Sequence, residues 1–155
     1  MECVFCSKTT LAAEKFYEDE NFVAIYNIRP VVKGHCLVLP KRHIENMLEM
    51  NENERKSFIS FSNKAVFIAL KYAGTKDFDF LLQNGENAGQ SIKHLHFHIL
   101  PRKRNDVLAV NKTEFFQSFA KKENTMDTLK KEELNIIIEE LNSITEKHKL
   151  QIDTL

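Results

Sequence analysis

The chain lacks a charge excess, a membrane-length apolar run and a cysteine framework. Lys and Arg number 22, as do Asp and Glu, for a formal net charge of +0. No overall field steers such a chain to nucleic acid or to a membrane surface, so an anionic ligand must be held by local groups. No apolar run approaches the roughly 20 residues of a membrane span. The N-terminus has neither the basic nor the apolar region of a signal peptide. Three cysteines, an odd number, fit a reducing compartment better than a set of disulfides. A cytoplasmic location, with no nucleic-acid or membrane partner, is the expectation. Internal repeats and low-complexity linkers are also missing. What is there is 155 residues, 43% hydrophobic and 28% charged, enough for one domain with a single proper core.

The most informative stretch is His94-Leu95-His96-Phe97-His98-Ile99-Leu100, which holds half of the six histidines. Strand geometry sends alternate side chains to opposite faces, so the three imidazoles share one face and Leu95, Phe97 and Ile99 the other. A helix would scatter them. At a rise of about 3.3 Å per residue, neighbouring imidazoles fall roughly 7 Å apart. That spacing lets one attack a centre while the others bind or orient. Before the row comes Asn84–Ser91, a turn-rich loop with two glycines. Such loops can turn successive N–H groups toward an anion.

Other elements follow from pattern. Phe16–Glu18 and Phe22–Asn27 read as a hairpin around Asp19-Glu20-Asn21. Cys36–Leu39 reads as a third strand stopped by Pro40, with Cys36 as a buried small residue. Phe78–Gln83 is the fourth strand and His94–Leu100 the fifth, ended by Pro101. Asn51 and Glu54 form a capping box for a helix running to Ala73, with Gly74 as its stop. This helix carries two apolar stripes: Phe58, Phe61, Ala65, Ile68 and Tyr72, then Ile59, Val66, Leu70 and Ala73. The second calls for a partner subunit or the chain's own tail. In the tail, Phe115, Phe116 and Phe119 suit a short docked helix, and Thr128–Lys149 a longer one. Arg102-Lys103-Arg104 is read as a solvated edge, with a phosphate site as its alternative. His35 is read as structural. Cys3-Val4-Phe5-Cys6 alone is open between a metal knuckle, a redox pair and two small apolar residues.

The histidine row preceded by Gly89-Gln90-Ser91 resembles the histidine triad (HIT) superfamily of nucleotidyl hydrolases and transferases. Asn27–His35, Leu82–Gly85 and His98–Lys103 extend the likeness toward its Fhit branch of dinucleoside polyphosphate hydrolases. The resemblance implies an α+β fold: an antiparallel five-stranded sheet, one long packed helix, a C-terminal helical tail and a homodimer. It divides the chain into a HIT domain over 1–105 and an extension over 106–155, packed on the core or on the dimer partner.

The resemblance also implies roles. His96 is the nucleophile, His98 binds α-phosphate oxygens and His94 supports His96. Asn27 holds the ribose and Gln83 the phosphate chain or second ribose. Gly89, Gln90, Ser91 and Ile92 neutralise charge, while Phe5, Ile25 and Ile28 are candidate walls for adenine. Some HIT proteins bind zinc through a cysteine knuckle, a histidine near position 43 and the first triad histidine. Cys3, Cys6, His43 and His94 thus become a structural zinc set, tetrahedral and closed. The implied reaction cleaves diadenosine tri- or tetraphosphate to AMP plus ADP or ATP through a nucleotidyl-histidine. Its rivals are a phosphoramidase of the Hint type, a dinucleotide phosphorylase, a nucleotide-binding signalling module, and a metalloenzyme with the triad as ligands.

Overall fold

The computed structural model describes residues 3–108 and 112–155. Residues 1–2 and 109–111, which belong to the two expected segments of the chain, lie outside the described residues. A turn of 3-10 helix at Val4–Cys6 leads into α1 (Lys8–Glu14), then β1 (Lys15–Glu18), β2 (Phe22–Tyr26) and β3 (Cys36–Pro40). The helix α2 (Glu52–Ala73) precedes β4 (Asp77–Leu82) and β5 (Phe97–Arg102). The tail forms α3 (Lys112–Thr125), α4 (Lys131–Lys147) and α5 (Lys149–Ile152). The strands make one antiparallel sheet in the order β1-β2-β3-β5-β4. Among the described residues no helix is long and apolar enough to cross a membrane.

Every residue of β2 and β3 is buried, and the two-residue period sorts them into two cores. Phe22, Ala24, Tyr26, Cys36 and Val38 join Leu95, Phe97 and Ile99 on the face that packs against α2. Val23, Ile25, Leu37 and Leu39 face the other way and pack with Phe5 of the N-terminal turn. The sheet is therefore a wall. Behind it lies the main core, and in front lie the N-terminal segment and the histidines.

The capping box forms as expected. Asn51 Oδ1 accepts from the Glu54 N–H at 2.9 Å, and Glu54 Oε2 accepts from the Asn51 N–H at 2.7 Å. Gly74, at φ 69°, closes the helix with its N–H on the Leu70 carbonyl; a residue without Cβ takes that left-handed position at little cost. Arg42 grips the same Glu54 carboxylate at 2.8 and 3.0 Å, and holds it below the usual carboxylate range.

Three boundaries of β3 and β5 differ from expectation, two of them at proline. Pro40 is the last residue of β3, opposite Phe22. The fifth strand starts at Phe97 instead of His94, and passes through Pro101 to Arg102. By Leu100 the strand has lost β3 on one side, since that pairing ends at Cys36 opposite Ile99. Proline is tolerated where one side of a strand is open. The start moves because β4 ends at Leu82, opposite Phe97. His94–His96 is left without a ladder partner there, and Leu95 donates its N–H to Ile44 instead, at 2.6 Å. The alternation of faces survives this loss.

The second stripe of α2 meets the chain's own tail in part. Leu134, Leu141 and Ile152 enter the α2-side core, with Ile137, Ile138 and Ile144 packed against it. Val66 of that stripe packs against the same core, and Phe67, which is in neither stripe, makes an edge contact with His148, at 5.7 Å between ring centres. Ile59 stays 63% exposed.

Candidate functional site

Three histidines stand in front of the wall, and each has one ring nitrogen committed. His96 Nδ1 lies 2.8 Å from the carbonyl oxygen of His94. A carbonyl only accepts, so the neutral ring carries its proton on Nδ1 and leaves Nε2 with a bare lone pair. His94 Nε2 likewise donates to the Pro40 carbonyl at 2.8 Å, which leaves Nδ1 bare. The third ring is set by a relay. The Val31 N–H donates to His35 Nδ1 at 3.3 Å, so His35 carries its proton on Nε2 and donates to His98 Nδ1 at 2.9 Å. Neutral His98 then holds its own proton on Nε2. The row thus presents an attacking nitrogen beside a donating one, with the His96 and His98 ring centres 5.1 Å apart.

Burial keeps these rings neutral. His96 is lowered from its ordinary pKa by desolvation, with the bond to His94 opposing. His98 is pushed down to about 3 by burial and by the neighbouring His96. His35, fully buried, is lowered well below its usual value for the same reasons. An unprotonated imidazole is what nucleophilic attack requires.

The bare Nδ1 of His94 points away from the row. It lies 3.4 Å from Cys3 Sγ and 3.6 Å from Cys6 Sγ, while Cys6 Sγ is 3.3 Å from His43 Nδ1. Cys3, Cys6, His43 and His94 bring one ligand atom each within 4.8 Å of one another. Among the described residues no other such group occurs. Two sulfurs and two imidazole nitrogens are a tetrahedral zinc set, and the Pro40 bond already fixes the tautomer that ligation needs. The four residues fit a structural metal ion. The same geometry removes His94 from a three-histidine metal centre, because its bare nitrogen faces the cysteines.

A cavity of about 410 Å³ opens over His96 and His98. Val4, Phe5, Ile28, Leu37 and Ile92 give it an apolar lining, and Ser91 and Asn27 reach its wall. Phe5 touches His94 and His96 edge-on, at 5.9 and 5.4 Å between centres. Ile25, a candidate for either the base wall or the core, is fully buried opposite Leu37 in the front core and does not line the cavity. Asn27 Oδ1 accepts from the Arg29 N–H at 2.9 Å, and its amide nitrogen sits 3.4 Å from His35 Nδ1. Gln90 braces the loop: its Oε1 accepts from the Gly85 N–H at 2.7 Å, and its Nε2 donates to the Glu45 carbonyl at 3.1 Å. Gly89 takes φ 96°, and a Cβ there would meet the Gln83 amide at 2.7 Å. Gln83 and Gly89 are therefore a fitted pair, and neither is among the residues that line the cavity.

Several residues at the site were not expected there from the sequence. His35 reads as structural, yet it bonds His98 directly; only folding brings together residues 63 positions apart. Phe119 of α3 sets its ring against His98 at 5.4 Å and His35 at 6.2 Å. Glu14, the last residue of α1, and Arg29 also line the cavity.

Comparison with known proteins agrees with this geometry. A family model described as the HIT domain matches residues 8–105. An uncharacterized HIT-like protein of Methanocaldococcus jannaschii is 41% identical over 106 residues, covering 67% of this chain and 81% of that one. A bis(5'-adenosyl)-triphosphatase of Dictyostelium discoideum is 32% identical over 94 residues, covering 61% of this chain and 63% of that one. A zinc-bound histidine triad family protein of Mycobacterium smegmatis has the same fold, with a TM-score of 0.71 at 24% identity over 97% of this chain and 98% of that one. With the five-stranded sheet, the histidine row and most of the chain matched, the protein belongs to the HIT domain family.

Proposed function

We propose that the protein hydrolyses dinucleoside polyphosphates, releasing AMP from one end through a nucleotidyl group carried on His96. The observation that carries this reading is the bond from His96 Nδ1 to the His94 carbonyl, which leaves a bare Nε2 at the cavity. Nε2 attacks the α-phosphorus, and the P–O bond to the remaining phosphate chain breaks. The leaving nucleotide departs with that electron pair. Water then attacks the same phosphorus, the P–N bond returns its pair to Nε2, and the water's proton passes to solvent. One difficult step becomes two easier ones. The proton on His98 Nε2 donates to an α-phosphate oxygen, and the Ser91 hydroxyl adds a second donor to the developing charge.

Asn27 is placed for the ribose, and Gln83 with Gly89, Gln90 and Ile92 shapes the path of the phosphate chain. Cys3, Cys6, His43 and His94 would hold a metal ion that supplies no reacting group, and so would fix the His94 ring and the backbone that carries the accepting carbonyl. The HIT domain is assigned to 1–105 and the helical extension to 106–155. The expected homodimer is supported by the open edge strand β4, where Phe78 is 44% exposed. The likeness to a bis(5'-adenosyl)-triphosphatase supports a dinucleotide substrate over a phosphoramidate.

The reading is tested by product analysis. Diadenosine triphosphate should give AMP and ADP, and the tetraphosphate AMP and ATP. In labelled water the label should appear on AMP alone. Two ADP from the tetraphosphate would contradict attack at the α-phosphorus. Turnover of phosphoramidates alone would move the protein to the Hint side of the family.

A further inference from the structure

We propose that Glu14 reads the base of the bound nucleotide, accepting a hydrogen bond from its exocyclic amino group and so setting a preference for adenine. This holds only if the cavity takes a nucleotide, as proposed above. Glu14 lines the same cavity as His96 and His98, and it is only 8% exposed. Among the described residues its carboxyl has no hydrogen bond and no ion pair with the protein. Arg29, the other charged side chain on that wall, turns its Nε to Thr128 Oγ1 at 3.1 Å.

A carboxyl group buried without a partner is destabilising, and native folds seldom keep one without a use. Its position makes matters worse for the fold, because the C-terminal end of a helix is the negative end. Glu14 ends α1. Desolvation pushes its carboxyl up to about 7, so near neutrality a large share of the molecules carry it as the neutral acid. A neutral acid offers one donor and one acceptor side by side. The adenine edge offers the complement, a ring nitrogen that accepts beside an amino group that donates.

The rest of the wall agrees with this placement. Phosphate belongs with the two histidines, and a carboxyl would repel it. Phe5, Ile28 and Ile92 are apolar surfaces suited to the faces of a flat base. Thr10, one helical turn before Glu14, lines the cavity from the same helix.

The test measures equilibrium binding of AMP and of purine riboside 5'-monophosphate, which is AMP without the amino group. Wild type should prefer AMP by about tenfold, the scale of one hydrogen bond to a buried polar group. Glu14→Leu should bring the two ligands to within about twofold of each other. Glu14→Gln, which keeps an acceptor and a donor, should retain the preference and shows that any loss in the leucine variant is not a folding defect. An unchanged preference in Glu14→Leu overturns the proposal, and so does an equal loss for both ligands. A loss confined to the ribose, seen as abolished discrimination against 2'-deoxy-AMP, also overturns it and moves the carboxyl to the sugar. If wild type hydrolyses dinucleotides yet binds both monophosphates equally, only the role of Glu14 falls. If wild type binds neither, the proposed function falls with it.

Discussion

The two ends of the histidine row are held in different ways. His94 is tied by polar groups: the Pro40 carbonyl on one nitrogen and two sulfurs near the other. His98 is tied by a buried relay through His35 and walled by the Phe119 ring. Cys3 and Cys6 precede the matched segment, and Phe119 follows it. The middle ring, His96, hangs from a main-chain carbonyl instead. The outer histidines are thus braced in part by segments outside the family match, alongside Pro40 and His35 within it, while the central one is braced from inside the motif. The brace at the first end would depend on a metal, and the brace at the other depends on packing.

Three substitutions sharpen that contrast. The largest effect belongs to the middle. His96→Asn should lower turnover of diadenosine tetraphosphate on the order of 10⁴-fold or more, the scale of losing an activated nucleophile. AMP binding, followed by calorimetry, should change little. Near-normal turnover would take His96 out of the role.

At the polar end, Cys6→Ser should abolish binding of about one zinc per chain, as measured by metal analysis. Turnover should fall by about tenfold, the low end for losing support to a positioned ligand. Loss of all chemistry in a folded variant, restored by added zinc, would make the metal a participant in the reaction. The packed end should respond least. Phe119→Leu keeps an apolar group against His98 and His35 but loses the ring edge, for about 1 kcal/mol of stability. A few-fold fall in kcat with unchanged metal content is the expected result. A larger loss than that of Cys6→Ser would reverse the order of the two braces.

The sequence made the faces legible and left the bonding hidden. Alternation alone placed Leu95, Phe97 and Ile99 in the core and the histidines opposite, because side-chain direction is local. The capping box at Asn51 and the stop at Gly74 were legible for the same reason. The start of β5 was not, since it depends on where β4 stops pairing, and that is a property of two distant segments. Pro101 misled because a stop signal assumes both sides of the strand are paired. The Cys3, Cys6, His43 and His94 set was found through a family likeness, and the short contacts among their ligand atoms agree with it. Glu14 had no local signature, since a single acid in a helix looks like many others; Phe119 was legible with Phe115 and Phe116 as part of a docked helix, but not as a neighbour of His98.

The carbonyl that holds His96 belongs to the peptide unit of His94, and every amino acid carries that atom. A substitution at position 94 changes the side chain that faces the cysteines and leaves the acceptor in the chain. The proton on the proposed nucleophile is therefore placed by a group that no codon change can delete. Losing it requires a change in the path of the backbone, such as an insertion or a proline that redirects the chain between Lys93 and Phe97. For the proposed reaction, point changes at the outer histidines would then act as graded adjustments, while the register of the segment would act as its switch.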